Sequence, residues 1–317
     1  MSVLKKVTLP MRIIAFPLTK PVRAMRHASD HPAPLVYYHF QMPPKPNDHK
    51  PTWTDWITGK ASSTWASLGK APENTWKFKA FHYGERLIDR IEFEELALKG
   101  LDPSLGPTVA HPRKADDKSG LDSIPLVHPK FLEPTVLPQV ENILARRTPR
   151  HRKGFWTWLL ISPLTAPFMI IRESAVRFNY REKNSTSPPA VIPNFPFFFC
   201  VWRSWSHYRA FKGSEYLESL LKRGAIVPQS SPQLDEIYAA HAPSPPPSPP
   251  PEETGHKDGS SSGSGPSAEE LTQEKVLLTR EAVPPLLSLF GIPSTAASDF
   301  YRAIEQANVR LAQGLYK

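Results

Sequence analysis

The sequence predicts a mainly α-helical, membrane-associated fold with one or two short, proline-kinked hydrophobic segments and a tethered helical C-terminal module. Three observations carry this expectation. Phe155 to Ile171 holds 17 residues without a charge, preceded by Arg146, Arg147, Arg150, Arg152 and Lys153, with His151 among them. A second uncharged run, Ala190 to Trp202, follows a polar connection of 18 residues. Residues 243–267 then form a Pro/Ser/Gly tract with no hydrophobe to build a core, so whatever follows it reads as tethered.

Composition sets the limits. The 317 residues include 37 prolines, and only 40% are hydrophobic, so the folded part is smaller than the length suggests. The net charge of +9 implies attraction to something anionic: lipid head groups, nucleic acid or an acidic partner. Cys200 is the single cysteine, which excludes an intramolecular disulfide and a cysteine-based zinc site. Residues 1–29 carry Lys5, Lys6, Arg12, Lys20, Arg23 and Arg26 with no acid before Asp30, a start compatible with mitochondrial import. No secretory signal is evident.

Taken in order, Ile13-Ile-Ala-Phe16 is a short apolar run ended by Pro17, a strand or an extended anchor. Pro43, Pro44, Pro46 and Pro51 mark an extended connection. Thr52 to Gly69 reads as a helix with Trp53, Trp56, Ile57, Ala61, Thr64, Trp65 and Leu68 on one face. Trp76 to Lys99 reads as one helix with an apolar stripe of Ala80, Phe81, Tyr83, Leu87, Ile88, Ile91 and Leu98, ended by Gly100 and Pro103. Residues 102–130 read as a loop, and a short helix over Thr135–Arg147 leads into the basic cluster. Ser204–Arg223 reads as a helix closed by Gly224, and Ser231-Pro232 opens another. Ser267-x-x-Glu270 is a capping box for a helix to about Val283, and Ser294–Gly314 is a last helix. The resulting divisions are a basic segment and proline-rich connection (1–51), a helical soluble region (52–147), the hydrophobic pair with its loop (148–205), a helical region (206–242), the disordered linker (243–267) and the C-terminal helical module (268–317).

A spanning helix needs about 20 apolar residues, and 17 fall slightly short. Trp156 and Trp158 suit a membrane–water interface, with Arg152 and Lys153 at head-group level. Pro163 and Pro167 kink the first run; Pro193 and Pro196 lie near the start of the second, and Arg203 would snorkel at its end. Two crossings, a re-entrant hairpin, an interfacial pair and a proline-broken soluble core all remain open.

Motifs for chemistry are sparse. Gly259-Ser-Ser261-Ser-Gly263 matches the hydrolase nucleophile pattern but sits in the low-complexity tract without strand or helix. His27 and His31 have ligand spacing in a poor helix former with no third ligand nearby. Asn184-Ser185-Thr186 is a sequon, meaningful only in the secretory pathway. The carboxylates Glu85, Asp89, Glu92, Glu94 and Glu95 read as a solvated helix face. No nucleotide-binding loop is present. The expectation is a protein without enzymatic activity, catalytic residue, metal site or cofactor.

Several stretches, Arg12-IIAFPLT-Lys20, Trp76 to Pro103 (with GERLIDRIEFEELALK) and Asn194 to Leu221 (with FPFFFCVWRSWSHYRA), resemble the fungal mitochondrial K+/H+ exchange-related family. Pro232–Tyr238 and the C-terminal helices add weaker support, and the likeness spans most of the chain outside 104–130 and 239–267. It implies the mitochondrial inner membrane and a part in potassium/proton exchange, and it carries over no site residue. The partners so implied are inner-membrane lipid, transporter subunits or a second copy, with K+ and H+ as transported ions and no nucleic acid. Two short apolar runs are little machinery for a carrier acting alone, which favours an accessory or regulatory component. The alternative is a basic peripheral matrix protein that binds RNA or an assembly partner.

Overall fold

A computed structural model describes residues 11–20, 34–44, 53–107, 123–166, 195–242 and 276–313. These residues are mostly helical, as expected, with a small mixed four-stranded sheet. The chain divides into two compact units that interleave along the sequence. One takes in Met1–Glu94, Ile124–Val136 and Val227–Lys317, the other Glu95–Ser123 and Leu137–Ile226.

The first unit contains the sheet, in the order β2-β1-β3-β4. The Arg12–Pro17 strand, β1, is β-branched and aromatic with five of its six residues buried, the pattern of a strand covered on both faces. It runs antiparallel to β2 (Val36–Gln41), from Arg12↔Gln41 to Pro17↔Val36, and parallel to β3 (Ile124–His128) at Ile13↔Leu126 and Ile14↔Val127. The edge strand β4 (Ile226–Ser230) tolerates Pro228, because an edge residue need not donate to a ladder. Only β1 was anticipated, as one of two options; β2, β3 and β4 were not, since Pro125 and Pro228 interrupt short apolar runs otherwise read as loop or helix end.

Helices α1 (Trp53–Gly69) and α2 (Trp76–Asp89) follow β2. Thr75 caps α2 by accepting from the Phe78 amide. Trp65 joins the two: its ring packs on Phe81 at 5.3 Å, and its Nε1 donates to Glu85 Oε1 at 2.8 Å. Trp56 and Ile57, assigned to the same face, are exposed, and α2 buries no residue.

The C-terminal segment is not a tethered module. After α6 (Pro232–Ala240), which Ser231 caps as expected, residues 276–282 are not helical, and Val276 bridges Thr19. Then α7 (Val283–Phe290) and α8 (Ala297–Ala312) share a core with the sheet. Phe16 meets Phe300 at 5.0 Å and Phe290 at 5.7 Å, and Tyr37 meets Phe300 at 4.9 Å, edge to face. Apolar complementarity with Phe16 places this segment on β1. The Ser267–Glu270 box lies outside the described residues.

The second unit is built from α3 (Phe93–Gly100, from Glu95 on), α4 (Val136–Thr165, from Leu137 on) and α5 (Phe195–Lys222). The expected short helix at 135–147, the basic cluster and the start of the first apolar run form one helix of 30 residues. Pro149 and Pro163 lie inside it. Pro163 leaves the Leu159 carbonyl without its amide donor, and Ser162 Oγ donates to that carbonyl at 2.9 Å. Likewise the second apolar run continues into Ser204–Arg223 as α5, so the divisions drawn at 147/148 and 205/206 fall within continuous helices. Gly224, at φ 65°, ends α5 in the left-handed region that glycine occupies without strain.

Among the described residues no helix is long and apolar enough to cross a membrane. The expected spanning helix is therefore not supported there: α4 takes up four arginines and a lysine, and Arg203 is engaged by a carboxylate rather than snorkelling. Residues 167–194, including the ends of both apolar runs, lie outside the described residues.

Candidate functional site

The site begins with a break in a helix. Trp76 to Lys99 was read as continuous, but α2 stops at Asp89, and α3 starts anew at Phe93. The Gln306 side chain of α8 holds this break: its Nε2 donates to the Ile91 carbonyl at 2.7 Å, while its Oε1 accepts from the Phe93 amide at 3.0 Å. Restarting the helix changes which side of it faces the interior. Glu95, expected on a solvated face, is only 4% exposed.

Glu95 meets residues from α4 and α5. Arg203 forms a bidentate pair with it, Nη1 to Oε1 and Nη2 to Oε2, the latter at 3.0 Å. Ser206 Oγ also donates to Oε1, at 3.0 Å. Next to this pair, the Nδ1 atoms of His151 and His207 lie 3.2 Å apart, and both rings are buried. One atom from each of Glu95, His151 and His207 falls within 4.8 Å of the others. The spacing Arg203, Ser206, His207 sets all three on one side of α5. That side is otherwise built of small residues: Ala210, Gly213 and Ser214 are buried, and a Cβ on Gly213 would stand 2.3 Å from the Leu98 carbonyl oxygen. Glycine is required there for α3 and α5 to approach. Gly154 does the same for the imidazole, because a Cβ on it would lie 2.8 Å from the His207 ring.

Burial works against the carboxylate, but the Arg203 hydrogen bonds and charge, with the two histidines, outweigh it and hold Glu95 below the usual carboxylate range. Burial lowers His151 to about 4; Glu95 opposes this, while His207, Arg147 and Arg150 reinforce it. Burial and then Arg203 lower His207 as well. At neutral pH the cluster is thus an ion pair beside two neutral imidazoles. Neutral imidazoles are metal ligands, so Glu95, His151 and His207 are, among the described residues, a group chemically suited to hold an ion. His151 Nε2 is buried with no hydrogen-bond partner among the described residues.

Farther along the same two helices lies a surface of different character. Running antiparallel, α4 and α5 pair Phe155 with Tyr208 at 5.4 Å and Trp158 with Phe199 at 5.5 Å. Their adjoining ends expose Trp156, Leu159, Leu160 and Leu164 from α4 and Phe198, Val201 and Trp205 from α5. Leu160 and Leu164 are 68% and 72% exposed. Arg146, Arg150, Arg152 and Lys153 are exposed along the preceding part of α4. Large contiguous apolar exposure marks an interaction surface.

The other carboxylates read as a solvated face also have partners. Glu85 accepts from Trp65, Asp89 pairs with Arg302, and Glu94 pairs with Arg310. His27, His31, the Gly259–Gly263 pattern and the Asn184 sequon lie outside the described residues. Sequence spacing does not single out His151 and His207, which stand 56 positions apart in basic and aromatic contexts. The one available signal was Gly154 three residues after His151, a small residue on the same helix face, and it identifies a close approach without its partner.

The fold and site define a mainly helical protein with a buried carboxylate–guanidinium–imidazole cluster and an apolar-ended, basic-flanked helix pair. The chain belongs to the mitochondrial K+-H+ exchange-related family, whose pattern matches residues 12–172 and 188–221, more than half of the sequence. An uncharacterised protein of Schizosaccharomyces pombe is 24% identical over 226 residues, covering 71% of this chain and 82% of that protein. No solved structure matches the chain.

Proposed function

We propose that this protein is an accessory or regulatory component of potassium/proton exchange, held at the mitochondrial inner membrane by the apolar ends of α4 and α5. The exposed Trp156–Leu164 and Phe198–Trp205 surface beside a basic stretch carries the membrane part of this reading. Apolar side chains enter the acyl boundary, tryptophans suit the interface, and lysine and arginine face anionic head groups. Family membership supports the exchange part. The runs Phe155–Ile171 and Ala190–Trp202 are two short segments, whereas a carrier acting alone brings several spans lining a path, which favours an accessory role without enzymatic chemistry. Its partners in this reading are inner-membrane lipid and either transporter subunits or a second copy, with K+ and H+ the ions moved by the system.

Deleting the gene is expected to slow the swelling of isolated, non-respiring mitochondria in potassium acetate; unchanged swelling would remove the exchange role. Purified protein that exchanges K+ for H+ unaided in liposomes would discard the accessory role. Co-sedimentation with anionic vesicles tests the docking surface. Release of the native protein into an alkaline carbonate supernatant, together with no vesicle binding, would favour the peripheral matrix alternative.

A further inference from the structure

We infer that Glu95, His151 and His207 form a binding site for a divalent transition cation of the zinc class. The argument rests on the geometry of the cluster and is independent of the exchange reading. The three residues come from three different helices, all are buried, and one ligand atom of each falls within 4.8 Å of the others. Two nitrogens on one tetrahedral zinc, with bonds of about 2.0–2.1 Å, stand roughly 3.3 Å apart. The Nδ1 atoms of His151 and His207 stand 3.2 Å apart, a good match to shared ligation and the long limit of a hydrogen bond.

Without an ion the cluster is also incomplete. A neutral histidine pair places one proton between its Nδ1 atoms, and among the described residues His151 Nε2 has no partner in either tautomer. Ligation at both Nδ1 atoms takes up the two facing lone pairs and leaves each ring its proton on Nε2.

Arg203 does not close the site. Glu95 Oε1 accepts from both Arg203 and Ser206, but among the described residues Oε2 accepts only from Arg203, leaving a lone pair for an ion. Arg203 and Ser206 then orient the carboxylate as outer partners of a ligand do. The guanidinium charge beside a dication weakens affinity, so a labile site is expected rather than a permanent structural one. Two imidazoles and one carboxylate suit zinc or cobalt; potassium, a hard ion, takes oxygen ligands and is not the occupant.

The test uses the full-length chain without a histidine tag, stripped with chelator and titrated with Co2+. One equivalent of Co2+ is expected to give the visible ligand-field absorption of a four-coordinate site, and Zn2+ is expected to displace it. His207→Gln and His151→Gln are each expected to weaken binding at least tenfold, and Gly154→Ala to weaken it by displacing the His207 ring. If a variant does not fold, the wild-type protein still decides: Zn2+ should shift the side-chain 15N resonances of both His151 and His207. Absence of any Co2+ band and of those shifts overturns the site. So does a band that both glutamine variants retain, since the ion is then held elsewhere.

Discussion

Glu94 and Glu95 are neighbours on α3, and each forms a bidentate pair with an arginine, yet the two surroundings differ. Glu94 pairs with Arg310, whose guanidinium also lies over the Phe93 ring at 4.8 Å. This pair ties α3 to α8 in the first unit. Glu95 pairs with Arg203 in the second unit and adds Ser206 and two neutral histidines. Identical carboxylates thus serve two purposes. The Glu94 pair joins two helices; the Glu95 pair lies inside a polar cluster with ligating capacity to spare. The difference comes from what flanks each arginine: an aromatic ring in one case, and a face of small residues that admits imidazoles in the other.

The largest expected effect breaks this comparison directly. Glu95→Ala leaves the half-buried Arg203 without this carboxylate and strips Ser206 of its acceptor, and is expected to cost about 3–5 kcal/mol. Glu94→Ala leaves Arg310 its aromatic contact and is expected to cost less, about 1.5–3 kcal/mol. Urea denaturation of each variant measures both, and equal losses would erase the distinction. Next comes Gly213→Ala, whose methyl group meets the Leu98 carbonyl. A loss of about 1–3 kcal/mol is expected, with lowered amide-exchange protection in α3 and α5.

A pH titration of chelator-treated protein sharpens the contrast further. His151 titrates near 6.5 when unfolded and near 4 when folded, so between those values the unfolded chain binds more protons. Stability therefore falls as pH drops from 6.5 toward 4. Glu95 acts in the same sense lower down: its contribution is complete above its ordinary value of 4.5 and is lost as pH falls through its depressed folded value. His151→Asn should flatten the upper part of the profile, measured by denaturation at stepped pH. Some slope persists because burial also lowers His207 beside it, and lowers His39, in the first unit, to about 4. The smallest effect on stability belongs to Leu160→Glu, within about 0.5 kcal/mol because the residue is already exposed. The same substitution is expected to reduce sedimentation with anionic vesicles severalfold.

How legible these features were depended on range. Helices α1, α5 and α6 have local causes: periodic apolar residues, Gly224 at a helix end, and the Ser231–Pro232 start. The sheet was mostly illegible, since β2, β3 and β4 are five or six residues long, and β3 and β4 draw their stability from neighbouring strands far away in sequence. Glu95 was misread because helical periodicity was carried across a break that Gln306, more than 200 positions later, holds in place.

The sequence by itself determined the helical content, the basic flank beside an apolar run, and the family likeness over most of the chain. These depend on composition and on neighbours within a few residues, where the physics is local. Only the tertiary structure decided that the C-terminal helices complete the sheet's core, that adjacent carboxylates serve different units, and that His151 and His207 meet. Those facts depend on which faces bury against which. A single chain records such a choice only as small residues, such as Gly154 and Gly213, whose partners cannot be read from their spacing.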